Sequence, residues 1–119
     1  MKIVRYRRIR DMHRAPSEWM ESWQYYSKKY RASDLLNEGL TPGEISVAIQ
    51  RAMDACNARG LEIDEHFVPV YTRFNGGIYK DFRLSKLGLL LTFLNAQPQN
   101  PNVAAFQIEV VRYYLSRRQ

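Results

Sequence analysis

The densest chemistry in the 119-residue chain is Ile63-Asp64-Glu65-His66-Phe67. Two carboxylates beside an imidazole can act as acid and base, or hold a metal ion. One histidine with adjacent carboxylates falls short of a metal-ligand set, so a structural reading is preferred. In that reading Asp64 caps a turn, Phe67 enters the core and His66 bonds a backbone group. The other histidine, His13, lies far away in the basic N-terminal stretch. Cys56 is the only cysteine, so it has no internal disulfide partner, and nothing implies secretion. It falls among small residues on a predicted helix and reads as a buried hydrophobe rather than a nucleophile. The chain has no phosphate-binding loop, dinucleotide fingerprint, nucleophile elbow or paired-histidine metal helix. The expectation is a protein that is not an enzyme, with no catalytic residue, no cofactor and no metal.

Charge is the other chemical signal. The net charge is +6, from 18 Lys and Arg against 12 Asp and Glu. Residues 1–31 carry nine bases (Lys2, Arg5, Arg7, Arg8, Arg10, Arg14, Lys28, Lys29 and Arg31) against three acids (Asp11, Glu18 and Glu21). The remaining residues carry nine of each, so the whole excess is N-terminal. An Arg-rich arm on a neutral body can neutralise phosphates, dock on an acidic protein surface or simply stay solvated. The interspersed Tyr6, Trp19, Trp23, Tyr25, Tyr26 and Tyr30 could stack on unpaired bases. Trp19, Trp23 and Tyr26 also fall at i, i+4 and i+7, the spacing of one buried helix face, and that reading is preferred for those three.

These residues need elements to position them. Lys2–Arg10 alternates loosely and reads as an edge strand or an arm. Pro16 and Ser17 open a helix through about Tyr26. A short helix from Ser33 through Asn37 is ended by Gly39. Thr41-Pro42-Gly43-Glu44 is a capping box with proline at the first helical position. The helix it starts runs to Arg59, with Gly60 as its stop and Ile45, Ala48, Ile49, Ala52, Ala55 and Cys56 as its apolar stripe. Val68–Phe74, Asn75-Gly76 and Gly77–Leu84 read as a hairpin on a two-residue turn. Pro69 makes the first of these strands an edge. Phe74, Ile78, Phe82 and Leu84 supply its apolar face, while Arg73, Lys80 and Arg83 make the ribbon positive. Ser85 caps a helix to about Asn95. A last helix from Pro101 or Asn102 has Val103, Phe106, Val110, Tyr113 and Tyr114 spaced for burial, and its Arg117 and Arg118 suit the negative end of its dipole.

The composition is 45% hydrophobic, 13% aromatic and 25% charged, which excludes wholesale disorder and low-complexity classes. The length supports one domain over residues 1–119, with a basic arm over 1–15. No apolar run reaches the roughly 18 residues of a membrane span, and the N-terminus lacks a signal-peptide pattern, so the expected location is cytoplasmic. The fold class expected is α+β: mostly helical, with one β-hairpin. The order of short helix, tight turn, longer helix and basic hairpin is winged-helix-like. Small residues on one helix and aromatics on the last allow a homodimer.

Several of these pieces, in this order, resemble a known family. Ala52, Ala55-Cys56 and Gly60 precede Ile63–Phe67; Leu84-Ser85-Lys86, Asn95, Pro98 and Pro101 follow the hairpin. Val103-Ala104-Ala105, Gln107 and Arg117-Arg118-Gln119 close the chain. Together they are similar to the N-terminal domain of DNA-damage-inducible protein D, related to the Bro-N type of phage and viral antirepressors. Upstream, Tyr30–Leu36 resembles that family's segment before a short helix. The hairpin here is shorter, the last helix has about two extra residues between Gln107 and the Arg-Arg pair, the family's C-terminal half is missing, and the basic arm before Trp19 has no counterpart in the family. The resemblance implies a phage- or SOS-linked regulatory role around DNA and carries over no catalytic residue. The expected function is DNA contact in transcription control or the DNA-damage response. Arg5, Arg7, Arg8, Arg10, Arg14, Lys28, Lys29 and Arg31 would neutralise phosphates, and Arg73, Lys80 and Arg83 would add a second contact. Gln50 and Arg51 are the candidates for base readout. The alternative is an interaction module that inhibits a repressor or a recombinase without touching DNA.

Overall fold

A computed structural model describes residues 27–118. The expected strand or arm over Lys2–Arg10, the helix carrying Trp19, Trp23 and Tyr26, and the cations Arg5, Arg7, Arg8, Arg10 and Arg14 lie outside the described residues.

The described chain is an α+β fold with a three-stranded antiparallel sheet. Strand β1 is Tyr30–Arg31, followed by a 3₁₀ helix over Ala32–Glu38 that Gly39 ends. Helix α1 is Pro42–Ala58; its Thr41 Oγ1 accepts from the Glu44 N–H, and the Glu44 carboxylate accepts from the Thr41 N–H at 2.8 Å. A short 3₁₀ turn, Ile63–Glu65, leads into β2 (Phe67–Phe74) and β3 (Gly77–Leu84). Helix α2 is Lys86–Leu94, capped by Ser85, and α3 is Pro101–Arg118. The sheet order is β1-β3-β2, so β2 is an edge, as Pro69 requires. The turn places Asn75 and Gly76 both at positive φ, 51° and 78°, the geometry that matches the twist of a two-residue hairpin.

The core joins the apolar stripe of α1 to the root of the hairpin and the start of α3. Ile45, Ala48, Ile49, Ala52 and Cys56 are buried with Leu35, Leu40, Phe67, Leu84 and Val103. Burial pushes the Cys56 thiol above its ordinary value. Gly88 in α2 packs directly on the chain at His66: a Cβ there would stand 2.6 Å from the His66 carbonyl oxygen.

Several expectations are corrected. Ala55 is exposed, because the helical turn carries it just outside the stripe. Ile78 is 66% exposed, because the eight-residue strands, about 27 Å long, run past the helices that cover their root. Tyr113 and Tyr114 are exposed for a similar reason. Helix α2 has nine residues and α3 has eighteen, so the far half of α3 passes beyond its neighbour. The Ile63–Glu65 turn begins one residue before Asp64 and has no side-chain cap. The His66 ring has a partner that the sequence did not announce: Nδ1 lies 2.6 Å from the Ser85 hydroxyl. Strand β1, read from sequence only as the lead-in to a short helix, pairs across the hairpin.

Candidate nucleic-acid interface

Strand register decides how the described cations are arranged. The two-residue turn makes Phe74 and Gly77 a hydrogen-bonded pair, so Gly77, Tyr79, Asp81 and Arg83 bond toward β2. The Ser85 N–H to His66 carbonyl bond, 3.0 Å, continues that alternation. On the other side of β3, Tyr30 stands opposite Leu84 and Arg31 opposite Arg83. Arg83 has its backbone groups turned to β2, and the Arg31 N–H goes to the Asp34 carboxylate at 3.0 Å. Arg31 and Arg83 are therefore a non-hydrogen-bonded cross-strand pair, the kind whose side chains stand closest.

Both arginines are exposed, and neither has a carboxylate partner among the described residues. Asp34 is used on the Arg31 N–H. Asp81, on the same face as Arg83, is used by Ser33: its Oδ1 accepts from the Ser33 N–H at 3.1 Å and its Oδ2 from the Ser33 hydroxyl at 2.6 Å. Like charges directly opposite in a sheet are destabilising. The root of the hairpin thus holds two arginines at directly opposed strand positions, and the nearby carboxylates Asp34 and Asp81 are engaged with backbone and hydroxyl donors.

The other candidates are distributed differently. Lys80 and Arg73 fall on the opposite face of the hairpin from Arg83, because side chains alternate along a strand and Arg73 stands opposite Ile78. Lys80 is exposed, with its ammonium 5.0 Å from the Phe82 ring centroid. Arg73 is exposed toward the tip. Lys29 is exposed over the Tyr30 ring at 5.5 Å, and Lys28 is half-buried. Four of the candidate cations thus make two groups on the sheet, Arg31 with Arg83 at the root and Arg73 with Lys80 farther out.

Helix α1 contributes little. Gln50 donates to Asp54 Oδ1 at 2.9 Å, and Arg51 reaches the Asn95 carbonyl at the end of α2 at 3.4 Å. Both readout candidates are occupied within the fold, and Asp54 adds negative charge to that face.

Of the Asp64-Glu65-His66 run, Glu65 and His66 are buried. Ser85 and His66 are 0% and 1% exposed, so their hydroxyl–imidazole contact has no opening to solvent. The Ser85 oxygen also accepts the Gly88 N–H at 3.0 Å, which caps α2. Among the described residues no three His, Cys, Asp or Glu side chains gather as a metal site. No described helix is long and apolar enough to cross a membrane. The close pairing of Arg31 with Arg83 had one faint sequence signal, the Tyr-Arg dipeptide before the short helix, and nothing local revealed its partner. The chain matches no family model, no curated protein and no solved structure.

Proposed function

We propose that this chain is a regulatory domain that contacts DNA phosphates, of the antirepressor or DNA-damage-response type that its sequence resembles. The observation that carries the reading is the Arg31–Arg83 pair. Two arginines at directly opposed positions, without carboxylate partners among the described residues, cost stability alone and gain it when a phosphate bridges them. Lys80 and Arg73, on the other face of the hairpin, supply a second contact. The basic arm with Arg5, Arg7, Arg8, Arg10 and Arg14 supplies the remaining charge. Because both groups address backbone phosphates, and the α1 readout candidates are engaged elsewhere, binding is expected to be weakly sequence-dependent.

The test is binding to duplex and single-stranded DNA at several salt concentrations. Neutralising about five phosphates gives a slope of log K against log salt near −4 to −5. Arg83→Ala is expected to make the slope shallower by about 1, and removal of residues 1–14 to make it shallower still. A flat salt response, or no binding at low salt, would overturn the reading.

A further inference from the structure

Among the described strands, β3 is paired on one side along its whole length and on the other only at its root. The chain leaves β1 after Arg31 and enters the 3₁₀ helix, and Ser33 clamps that helix to Asp81. Phe82 turns its N–H onto the Asp81 carboxylate at 2.8 Å. Farther out, alternation directs the backbone N–H and C=O groups of Ile78 and Lys80 away from β2, where no described strand pairs with them. Natural proteins cover such edges or use them.

Beside this edge lies a groove of about 480 Å³ between the hairpin and the start of α1. Its apolar wall is Leu36, Ile45, Ile49 and Phe82. Leu36 is 47% exposed, large for a leucine beside a buried core. Two cations line the groove, Arg31 and Lys80, and neither has a carboxylate partner among the described residues. The one lining carboxylate, Asp81, has both oxygens engaged by Ser33 and Phe82.

From this we infer that the groove takes an extended acidic peptide segment of a partner protein, which adds as a strand to β3 at Ile78 and Lys80. Backbone bonds at the open edge fix such a segment, its apolar side chains enter the groove, and its carboxylates meet Arg31 and Lys80. Phosphate recognition explains the cations but has no use for an apolar wall or an open strand edge. The inference stands apart from the DNA reading, although the two share Arg31 and Lys80.

The experiment uses the full chain in DNA-free buffer. A library of random twelve-residue peptides is panned on it, and enriched peptides are titrated while backbone amide exchange is followed by NMR. Enrichment of sequences that mix carboxylates with apolar residues is expected, with exchange slowed at Ile78 and Lys80. Lys80→Glu, a surface change checked for folding by circular dichroism, is expected to weaken binding about tenfold. Enrichment of basic or uncharged peptides, no enrichment, or equal affinity for Lys80→Glu would overturn the assignment. So would protection of the Ile78 and Lys80 amides before any peptide is added, since the chain would then fill its own groove. A chain that takes the peptide but no DNA would keep this inference and remove the phosphate reading.

Discussion

At the scale of single residues, α2 approaches the chain closely at His66. Glycine at 88 lets the first turn of α2 approach the His66 carbonyl, and Ser85 both caps that turn and contacts the buried ring. Gly88→Ala would place a methyl 2.6 Å from that oxygen, and backbone must move to admit it. The expected cost is about 1–3 kcal/mol, measured by chemical denaturation, despite the better helix propensity of alanine. Cys56 gives a second prediction. Its folded thiol holds its proton more tightly than in the unfolded chain, so it contributes stability below the ordinary thiol range. That contribution is lost as pH rises through the raised folded value. Stability should therefore fall in alkaline solution, and Cys56→Ala should fall less steeply. Native alkylation should be slow and should become fast in denaturant. The burial of Cys56 was legible because its neighbours on the helix are small. The His66–Ser85 contact was not legible, because 19 residues separate partners that only the hairpin brings together.

At the scale of elements, what could be read depended on how local the cause is. The cap of α1 and the Asn75-Gly76 turn are written in consecutive residues, and both form as expected. Strand β1 has two residues and exists only because β3 lies beside it, so no periodicity could announce it. Helix α3 shows the remaining difficulty. Periodicity tells which face is apolar but not how far the neighbouring element extends. Val103 is fully buried, and Phe106 packs on Phe93 with ring centroids 5.1 Å apart. Beyond them Ile108, Val111 and Leu115 form an exposed stripe at helical spacing. This difference is measurable within one helix. Val103→Ala should cost about 2 kcal/mol, whereas Val111→Ala should change monomer stability by no more than about 0.5 kcal/mol. Equal effects in parallel denaturation curves would mean that the far half of α3 is covered in solution.

At the scale of the whole molecule, the charge asymmetry was legible by counting, but its geometry was not. Counting places the excess at the front of the chain, whereas register brings Arg31 from that front beside Arg83 from a later hairpin. The candidate surface is therefore continuous across about fifty residues of sequence, which no linear charge pattern displays. This makes a prediction about the salt experiment. Arg31→Ala and Arg83→Ala should be non-additive in DNA affinity, because either change removes the same bridged phosphate. The corresponding pair Arg73→Ala and Arg83→Ala, on opposite faces of the ribbon, should be additive. A double-mutant cycle at fixed ionic strength distinguishes the two, and additivity for both pairs would argue that Arg31 and Arg83 act as separate charges.

The Ser33–Asp81 clamp has a mechanical corollary. It is the stitch that ties the turn preceding α1 to the projecting ribbon, and it sits where the ribbon's second partner strand gives out. The outer half of the ribbon therefore has its nearest tether to the helical layer at this one carboxylate.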